Sequence, residues 1–201
     1  MNNKVIIVGA FHEMIELCND CGYQIVGIID NQYMGEYYGI PIIGKDDEAA
    51  HLYQNYSDCS IVITPDLPKV RKKLFTLYSR IGFQFATVVS SRAIISRSAK
   101  IGKGTVIQAC VNISAGSTIG DFVKINTYAN IMHDDVVGNF STIAPNAVIL
   151  GYVNIGESAY IGANSTILPH VKIGSESTVG AGAVVTKNIY DNVIVKGVPA
   201  K

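Results

Sequence analysis

An aliphatic residue occupies every sixth position from Val89 to Val185 without interruption. An α-helix repeats about every 3.6 residues and a strand every two, so neither element explains this spacing. A six-residue repeat is typical of a parallel β-helix, in which each repeat forms one face of a prism and points its aliphatic side chain inward. The positions are Val89, Ile95, Ile101, Ile107, Ile113, Ile119, Ile125, Ile131, Val137, Ile143, Ile149, Ile155, Ile161, Ile167, Ile173, Val179 and Val185.

Three such faces complete one coil, so residues eighteen positions apart are expected to stack. One column supports this register, because each aliphatic residue in it precedes a glycine, which tolerates the close approach of other atoms. The pairs are Ile101-Gly102, Ile119-Gly120, Val137-Gly138, Ile155-Gly156 and Ile173-Gly174. The residue four after each aliphatic is mostly small or β-branched, which suits the inside of a narrow coil. Asp135 is the charged exception, and a carboxylate in that place needs a partner.

The charge balance of the chain limits its partners. The formal net charge of the 201 residues is zero, which argues against nucleic acid or an anionic membrane. The apolar opening Val5–Ala10 is too short for a signal peptide or a membrane span. Without an export signal, reduced thiols and a cytoplasmic location are expected. The four cysteines are Cys18, Cys21, Cys59 and Cys110.

The first part of the chain has a different pattern, in which apolar strands alternate with helical segments. Strands are predicted at Lys4–Val8, Tyr23–Ile29, Ile61–Ile63 and Phe85–Val89, and helices at Glu13–Cys21 and from Thr64 to about Gly82. This alternation predicts a small parallel α/β sheet. We therefore expect two domains, residues 1–88 and residues 89–201, without a flexible linker.

Two motifs of the repeat region carry a resemblance to a known family. His133-Asp134 is followed by Val137-Gly138-Asn139-Phe140, and the chain ends in Gly197-Val198-Pro199-Ala200-Lys201. Together with the two-part organisation, they resemble bacterial sugar acetyltransferases that join a Rossmann-like N-terminal domain to a left-handed hexapeptide β-helix. The resemblance covers essentially the whole chain. It implies acetyl-CoA as the donor, and a homotrimer with active sites between neighbouring β-helices.

His133 is the candidate catalytic residue. It follows Ile131 by two positions, which predicts a place near a corner with the side chain pointing outward. An imidazole titrates near neutral pH and can remove a proton from an attacking amine or hydroxyl. A carboxylate bonded to one ring nitrogen, here that of Asp134, would raise the basicity of the other. An isolated His-Asp pair is more often an ordinary surface feature, but the resemblance favours catalysis here.

The resemblance also indicates residues for acetyl-CoA. The family often carries a second histidine nine residues after the catalytic one, where this chain has Thr142, whose hydroxyl can donate a hydrogen bond but bears no charge. Gly151 follows His133 by eighteen residues, and its missing side chain either admits the pantetheine arm or serves a turn. Ala163, Ala181 and Pro199 match further positions that are expected to contact the cofactor.

No metal site is expected. The repeat region has two histidines, His133 and His170, on different columns, whereas metal ligation needs several convergent donors. We interpret His170 as a surface or trimer-contact residue. Cys18 and Cys21 form a single CxxC pair on a predicted helix, and we interpret them as structural thiols.

The loop after the first strand is the candidate substrate site. It occupies the place where the family has a glycine-rich loop whose backbone amides hold a sugar-nucleotide phosphate. It lacks a GxGxxG motif, so a dinucleotide cofactor is not expected. Asp30 and Asn31 match the place of an acidic residue that holds the base or ribose. The residues predicted to bind substrate are therefore Ala10, Phe11, His12, Asp30 and Asn31, with a purely structural domain as the alternative.

Three functions fit the sequence. The first is acetyl-CoA-dependent N-acetylation of a dTDP- or UDP-linked 4-amino-4,6-dideoxy sugar for bacterial surface glycans, by direct attack with His133 as general base. The second is O-acetylation of sialic acid or a polysaccharide. The third is a non-catalytic trimeric scaffold, which the His133-Asp134 pair and the C-terminal motif disfavour. Stabilisation by a nucleotide-linked sugar would separate the first function from the second.

Overall fold

The computed structural model describes residues 3–201, which form two compact units. One unit comprises the residues up to Asp66 together with Val70–Val88, and the other comprises Leu67–Lys69 together with Val89–Lys201. The first is an α/β unit with a mixed sheet, and the second is a parallel β-helix.

The sheet of the α/β unit has the strand order β3-β4-β2-β1-β5-β6. All neighbouring strands are parallel except β3 and β4. The central β1 is covered on both faces, so the residues after Lys4 are apolar, and Val5, Ile6 and Ile7 are fully buried. The elements in chain order are β1 (Lys4–Val8), α1 (His12–Asp20), β2 (Gln24–Ile29), β3 (Glu36–Tyr37), β4 (Ile40–Gly44), a 3-10 helix (Asp46–Glu48), α2 (Ala49–Tyr56), β5 (Ser60–Ile63), α3 (Pro68–Ile81) and β6 (Gln84–Phe85).

The predicted β1, α1, β2, β5 and α3 are present, but the sequence pattern misses β3, β4 and α2. Pro41 interrupts the apolar run of β4, and only Ala49 and Leu52 of α2 are buried. The sheet is also not purely parallel, because the short β3 adds to its edge in the antiparallel direction. The strand expected at Phe85–Val89 is divided into β6 and β7 (Val88–Val89).

The left-handed β-helix has three parallel sheets, which the chain visits in turn. The first sheet contains β7, β10 (Val106–Ile107), β13 (Lys124–Ile125), β16 (Thr142–Ile143), β19 (Tyr160–Ile161), β22 (Thr178–Val179) and β24 (Ile194–Val195). The second contains β8 (Ile94–Ile95), β11 (Asn112–Ile113), β14 (Asn130–Ile131), β17 (Val148–Ile149), β20 (Thr166–Ile167) and β23 (Val184–Val185). The third contains β9 (Lys100–Ile101), β12 (Thr118–Ile119), β15 (Val136–Val137), β18 (Asn154–Ile155) and β21 (Lys172–Ile173).

Neighbouring strands pair residues eighteen positions apart, as the repeat predicts. Ile131, for example, lies opposite Ile149, which in turn lies opposite Ile167. From Ile107 to Val185, every repeat aliphatic is at most 2% exposed, so one continuous apolar core fills the prism. Full burial of one such side chain is worth roughly 1.5–3 kcal/mol, and the repetition of this term stabilises the short strands.

The column of glycines lies on the edge between the third and first sheets. A Cβ on Gly102 would lie 2.4 Å from the backbone of Gly120 in the next coil. None of the five glycines has a left-handed φ angle, so the close approach of successive coils is what requires glycine there.

The last coil is two residues shorter than the others. Ile173 pairs with Ile189 and Val179 with Val195, at a spacing of sixteen residues instead of eighteen. This shortening explains why the six-residue phase ends at Val185.

Two further expectations concern helices and thiols. Within residues 3–201, no helix has both the length and the apolar composition that a bilayer crossing requires. All four cysteines are free. Burial raises the pKa of Cys18 to about 12, which makes it an unreactive structural thiol.

Candidate active site

His133 lies in the turn that leads from β14 in the second sheet to β15 in the third. We call this turn column the second-to-third edge. The His133 Nδ1 and Asp134 Oδ2 atoms are 3.0 Å apart, and both side chains are about half exposed, at 50% and 47%. In the tautomer with its proton on Nδ1, His133 donates to the carboxylate and keeps the lone pair on Nε2. The pair therefore has the orientation of a general base.

Gly151 lies beside the imidazole, one coil further along the same edge. A Cβ at this position would approach the Cε1 and Nε2 atoms of His133 to 2.7 Å. Any larger residue would therefore push the histidine away. Within the described chain no acceptor is recorded for the Gly151 N–H, whereas the next N–H, of Tyr152, donates to the His133 carbonyl at 3.1 Å.

Tyr152 is a site residue that sequence reasoning missed. Its ring meets the His133 ring edge-on, with centroids 5.1 Å apart at 86°, and it stacks on His170 at 5.0 Å and 3°. The eighteen-residue spacing indicates this contact, because it places Asp134, Tyr152 and His170 in one column. His170 is exposed and reaches the site only through Tyr152.

The residues predicted to hold acetyl-CoA do not gather around His133 within one chain. Ala163 and Ala181 lie on the first-to-second edge, in the turns after β19 and β22. The C-terminal tail that contains Pro199 pairs with β23, since the Val184 N–H donates to Gly197 and the Ala200 N–H donates to Val184. Thr142 begins β16 in the first sheet, and its side chain is buried. Of the predicted residues on the β-helix, His133, Asp134 and Gly151 come together.

In the α/β unit, Asp30 organises the candidate substrate loop. Its Oδ2 accepts from the Ala10 N–H at 2.7 Å, and its Oδ1 accepts from the N–H groups of Gln32 at 2.7 Å and Tyr33 at 3.1 Å. Asn31 turns away from these groups, because its side-chain amide donates to Asp46 at 2.7 Å. Asp30 thus fixes the loop after β1, and Asn31 fixes the start of the 3-10 helix.

An aromatic cluster beside this loop was not predicted. His12 stacks on Tyr38 with ring centroids 3.7 Å apart and an interplanar angle of 7°. Tyr37 contacts both Tyr38 and Tyr33, at 4.9 Å and 4.8 Å. We call Tyr33, Tyr37 and Tyr38 the tyrosine cluster. Tyr38 is 65% exposed, so the cluster presents an open aromatic surface to solvent.

Comparison with known proteins identifies the family. The model of the bacterial transferase hexapeptide (six repeats) matches residues 152–187, and that of the PglD N-terminal domain matches residues 4–77. PerB from Caulobacter crescentus, solved with CoA and GDP-perosamine, is 32% identical with a TM-score of 0.92 over 98% of this chain and 96% of that one. The chain belongs to the hexapeptide-repeat acetyltransferases with a PglD-type N-terminal domain.

Two other solved structures are similar to this acetyltransferase. The acetyltransferase domain of PglB from Neisseria gonorrhoeae, solved with acetyl coenzyme A, is 31% identical with a TM-score of 0.93, over 100% of this chain and 99% of that one. WeeI from Acinetobacter baumannii is 28% identical with a TM-score of 0.86, over 98% and 99% of the two chains. No curated protein sequence matches the chain. The predicted family, fold class and enzyme class are confirmed.

Asp135 of the acetyltransferase lies inside the prism, two residues after His133. It is fully buried, and its Oδ1 accepts from the Val153 N–H at 2.8 Å. Oδ2 has no hydrogen-bond partner among the described residues. Burial raises the pKa of Asp135 to about 7, against the lowering effects of the Val153 N–H and the Met132 backbone. The hydrogen-bond partner that a buried carboxyl is expected to have is thus present for only one of the two oxygens.

No metal is implied by the described side chains. Within residues 3–201, no group of three or more His, Cys, Asp or Glu side chains is arranged to hold an ion. The second-to-third edge instead combines the His133 imidazole, the Asp134 carboxylate and the Gly151 backbone amide. These are groups that move protons and stabilise negative charge.

Proposed function

We propose that this acetyltransferase transfers the acetyl group of acetyl-CoA to the amine of a nucleotide-linked amino sugar. The observation that carries the proposal is the His133-Asp134 pair, 3.0 Å apart, at an open edge beside Gly151. The relatives favour the same chemistry, since PerB was solved with CoA and GDP-perosamine and the PglB domain with acetyl coenzyme A.

In the proposed reaction, His133 acts as the general base. The sugar amine attacks the thioester carbon, the new C–N bond forms, and Nε2 of His133 takes the proton that the nitrogen loses. The C–S bond then breaks, CoA leaves as a thiolate, and the proton passes to its sulfur. Asp134 holds the Nδ1 proton and stabilises the imidazolium that forms in between. Cys110, the one cysteine of the repeat region, precedes His133 by 23 residues and therefore by more than one coil, which favours direct attack over an acyl-enzyme.

The Gly151 N–H is the proposed donor to the thioester oxygen. This oxygen becomes negatively charged when the amine attacks, and a fixed backbone donor stabilises that charge without having to reorient. The adjacent His133 ring keeps the donor and the base within reach of one reacting carbon.

The separation of the predicted cofactor residues favours a trimer. His133 and Gly151 lie on the second-to-third edge, whereas Ala163 and Ala181 lie on the first-to-second edge. A neighbouring copy would join the two edges in one channel for CoA. Static light scattering should therefore give three chains per particle, and a monomer at micromolar concentration would contradict this arrangement.

We also propose that the loop after β1 and the tyrosine cluster hold the nucleotide. The loop is fixed through the 2.7 Å bond from the Ala10 N–H to Asp30, and the Tyr37 side chain reaches the backbone of His12 at the start of α1. The backbone amides at a helix start favour phosphate, and an exposed ring such as Tyr38 favours a stacked base. From the sequence we expect dTDP or UDP, whereas the nucleotide bound to PerB is GDP.

A panel of acceptors tests the proposal. The protein is mixed with acetyl-CoA and with dTDP-, UDP- or GDP-linked 4-amino sugars, sialic acid or a capsular polysaccharide, and released thiol is measured. We expect thiol release with a nucleotide-linked amino sugar and a product that resists hydroxylamine, because amides are stable to it and esters are not. A hydroxylamine-labile product from sialic acid or polysaccharide would establish O-acetylation, and no release from any acceptor would favour a scaffold.

A further inference from the structure

Hydroxyl side chains inside the prism bridge successive coils in one recurrent way. Thr105 donates from Oγ1 to the Gly120 carbonyl at 2.9 Å and accepts from the Val123 N–H at 3.1 Å. The hydroxyl thus donates to the carbonyl fifteen residues ahead and accepts from the N–H eighteen residues ahead. The same two contacts are made by Ser141, with Gly156 and Ala159, and by Ser117, with Met132 and Asp135.

Asp135 occupies the same inner position but reproduces only half of this bridge. Its Oδ1 accepts from the N–H of Val153, eighteen residues ahead. The residue fifteen ahead is Leu150, and within the described chain no donor is recorded for its carbonyl oxygen. The Oδ2 atom of Asp135, buried and without a partner, is the matching group. A carboxylate cannot donate to a carbonyl, but a carboxylic acid can.

We propose that Asp135 is a neutral carboxylic acid in the working enzyme and donates its proton from Oδ2 to the Leu150 carbonyl. The Leu150 carbonyl and the Gly151 N–H belong to the same peptide group. A hydrogen bond to the carbonyl therefore orients and polarises the N–H that faces the thioester. Asp135 acts through this peptide and is a positioning residue. The inference rests on the proposed function, because it gives the Gly151 N–H its role.

The surroundings of Asp135 favour the neutral form. Burial raises the pKa of its carboxyl to about 7, and the Asp134 carboxylate acts in the same direction. The Val153 N–H, a backbone interaction with Met132 and, when protonated, His133 act in the opposite direction. The inner residues of the adjacent coils on this edge, Ser117 and Val153, carry no charge. A carboxylate here would have one buried oxygen without a hydrogen-bond donor, which is unfavourable.

Ionisation should weaken both stability and turnover as the pH rises. The pKa of Asp135 is raised from 3.8 to about 7, so the folded state binds the proton more tightly than the unfolded chain. The stability contribution is therefore complete below pH 3.8 and decreases until the pH passes about 7. Above that value the Leu150–Gly151 peptide loses its donor, and kcat should fall.

Asp135→Asn and Asp135→Val provide the test. The asparagine keeps both hydrogen bonds without a titrating group, so kcat near pH 6.5 should stay close to that of the wild type and the fall above pH 7 should disappear. The valine, which the fold carries one coil later at Val153, should fold normally. It should lower kcat by about tenfold or more without raising the KM of the nucleotide sugar, because only the transition state uses the donor.

Ser141→Ala is the matched control, because Ser141 makes the same bridge on a different edge. It should lower the thermal midpoint and leave the pH profile of kcat unchanged. An unchanged kcat in Asp135→Val, or the wild-type alkaline fall in Asp135→Asn, would overturn the proposal.

A second measurement separates this inference from the proposed reaction. The thermal midpoint is recorded from pH 5 to pH 9 for the wild type and for Asp135→Asn, without any substrate. The wild type should lose stability relative to the variant up to about pH 7. Parallel curves would show that Asp135 is ionised throughout and would overturn the inference, even if the acceptor panel succeeded. A failed panel with diverging curves would instead contradict the proposed function alone.

Discussion

The two units of this acetyltransferase hold their candidate site residues in place through different kinds of contact. In the β-helix, the position of each residue follows from its number in the sequence. Strands pair residues eighteen positions apart and every sixth side chain is buried, so the number gives both the coil and the edge. In the α/β unit, the candidate loop is held by contacts with no fixed interval. Asp30 reaches back twenty residues to Ala10, and His12 stacks on Tyr38 across a segment that contains α1, β2 and β3.

This difference matches the proposed division of work. A general base and an amide donor must be held within a fraction of an ångström of a productive geometry, and a stack of short paired strands provides such a support. Nucleotide recognition tolerates adjustable loops, which is where binding residues often lie. Substitutions at the edge of the β-helix should therefore affect turnover, and substitutions in the tyrosine cluster should affect substrate affinity.

Gly151→Ala, at the edge of the β-helix, should lower turnover by more than any substitution in the tyrosine cluster. Its methyl group would lie 2.7 Å from the His133 ring, which must then move off the Gly151 N–H. We expect kcat to fall by about 100-fold, because the displaced general base no longer reaches the attacking amine. The Kd of the nucleotide sugar, measured by calorimetry, should not change. A near-normal kcat in this variant would contradict a catalytic role for the second-to-third edge.

Much of the β-helix side of this comparison could be predicted from the sequence. The six-residue spacing of the aliphatic residues alone predicts the three sheets, their register and the position of His133 near a corner. The same spacing of eighteen residues places Gly151 beside His133 and Tyr152 beside Asp134. It does not give the role of Asp135, because spacing shows that a carboxyl is inside but not whether it carries a proton. That depends on burial and on hydrogen bonds to Val153.

The α/β unit was harder to predict for a physical reason. Strand β3 has two residues, and Pro41 interrupts the apolar run of β4. The pairing of these strands therefore depends on contacts elsewhere in the unit and not on a local sequence pattern. The tyrosine cluster sits around this pair, with Tyr37 on β3 and Tyr38 in the turn after it. Nothing in the spacing of these tyrosines indicates that one of them stacks on His12. The sequence therefore located the loop after β1 but not the aromatic surface beside it.

Tyr38→Ala should have a smaller effect, confined to the nucleotide. The ring is 65% exposed, and stacking of a base on an aromatic side chain is worth roughly 1–3 kcal/mol. We expect the KM of the nucleotide sugar to rise by about tenfold, with the KM of acetyl-CoA and kcat unchanged. Met34→Ala, at an 82% exposed position in the loop before β3, is the control and should leave both KM values unchanged. Equal increases in both KM values would mean that the comparison between the units is wrong.

The central claim is that the edge of the β-helix performs the chemistry and the α/β unit binds the nucleotide. His133→Ala tests it most directly, when kcat for acetyl transfer and the Kd of the nucleotide sugar are measured on the same preparation. We expect kcat to fall by about two to four orders of magnitude, because the general base is lost. The Kd should stay at the wild-type value. A near-normal kcat, or a Kd that weakens in step with turnover, would contradict the account.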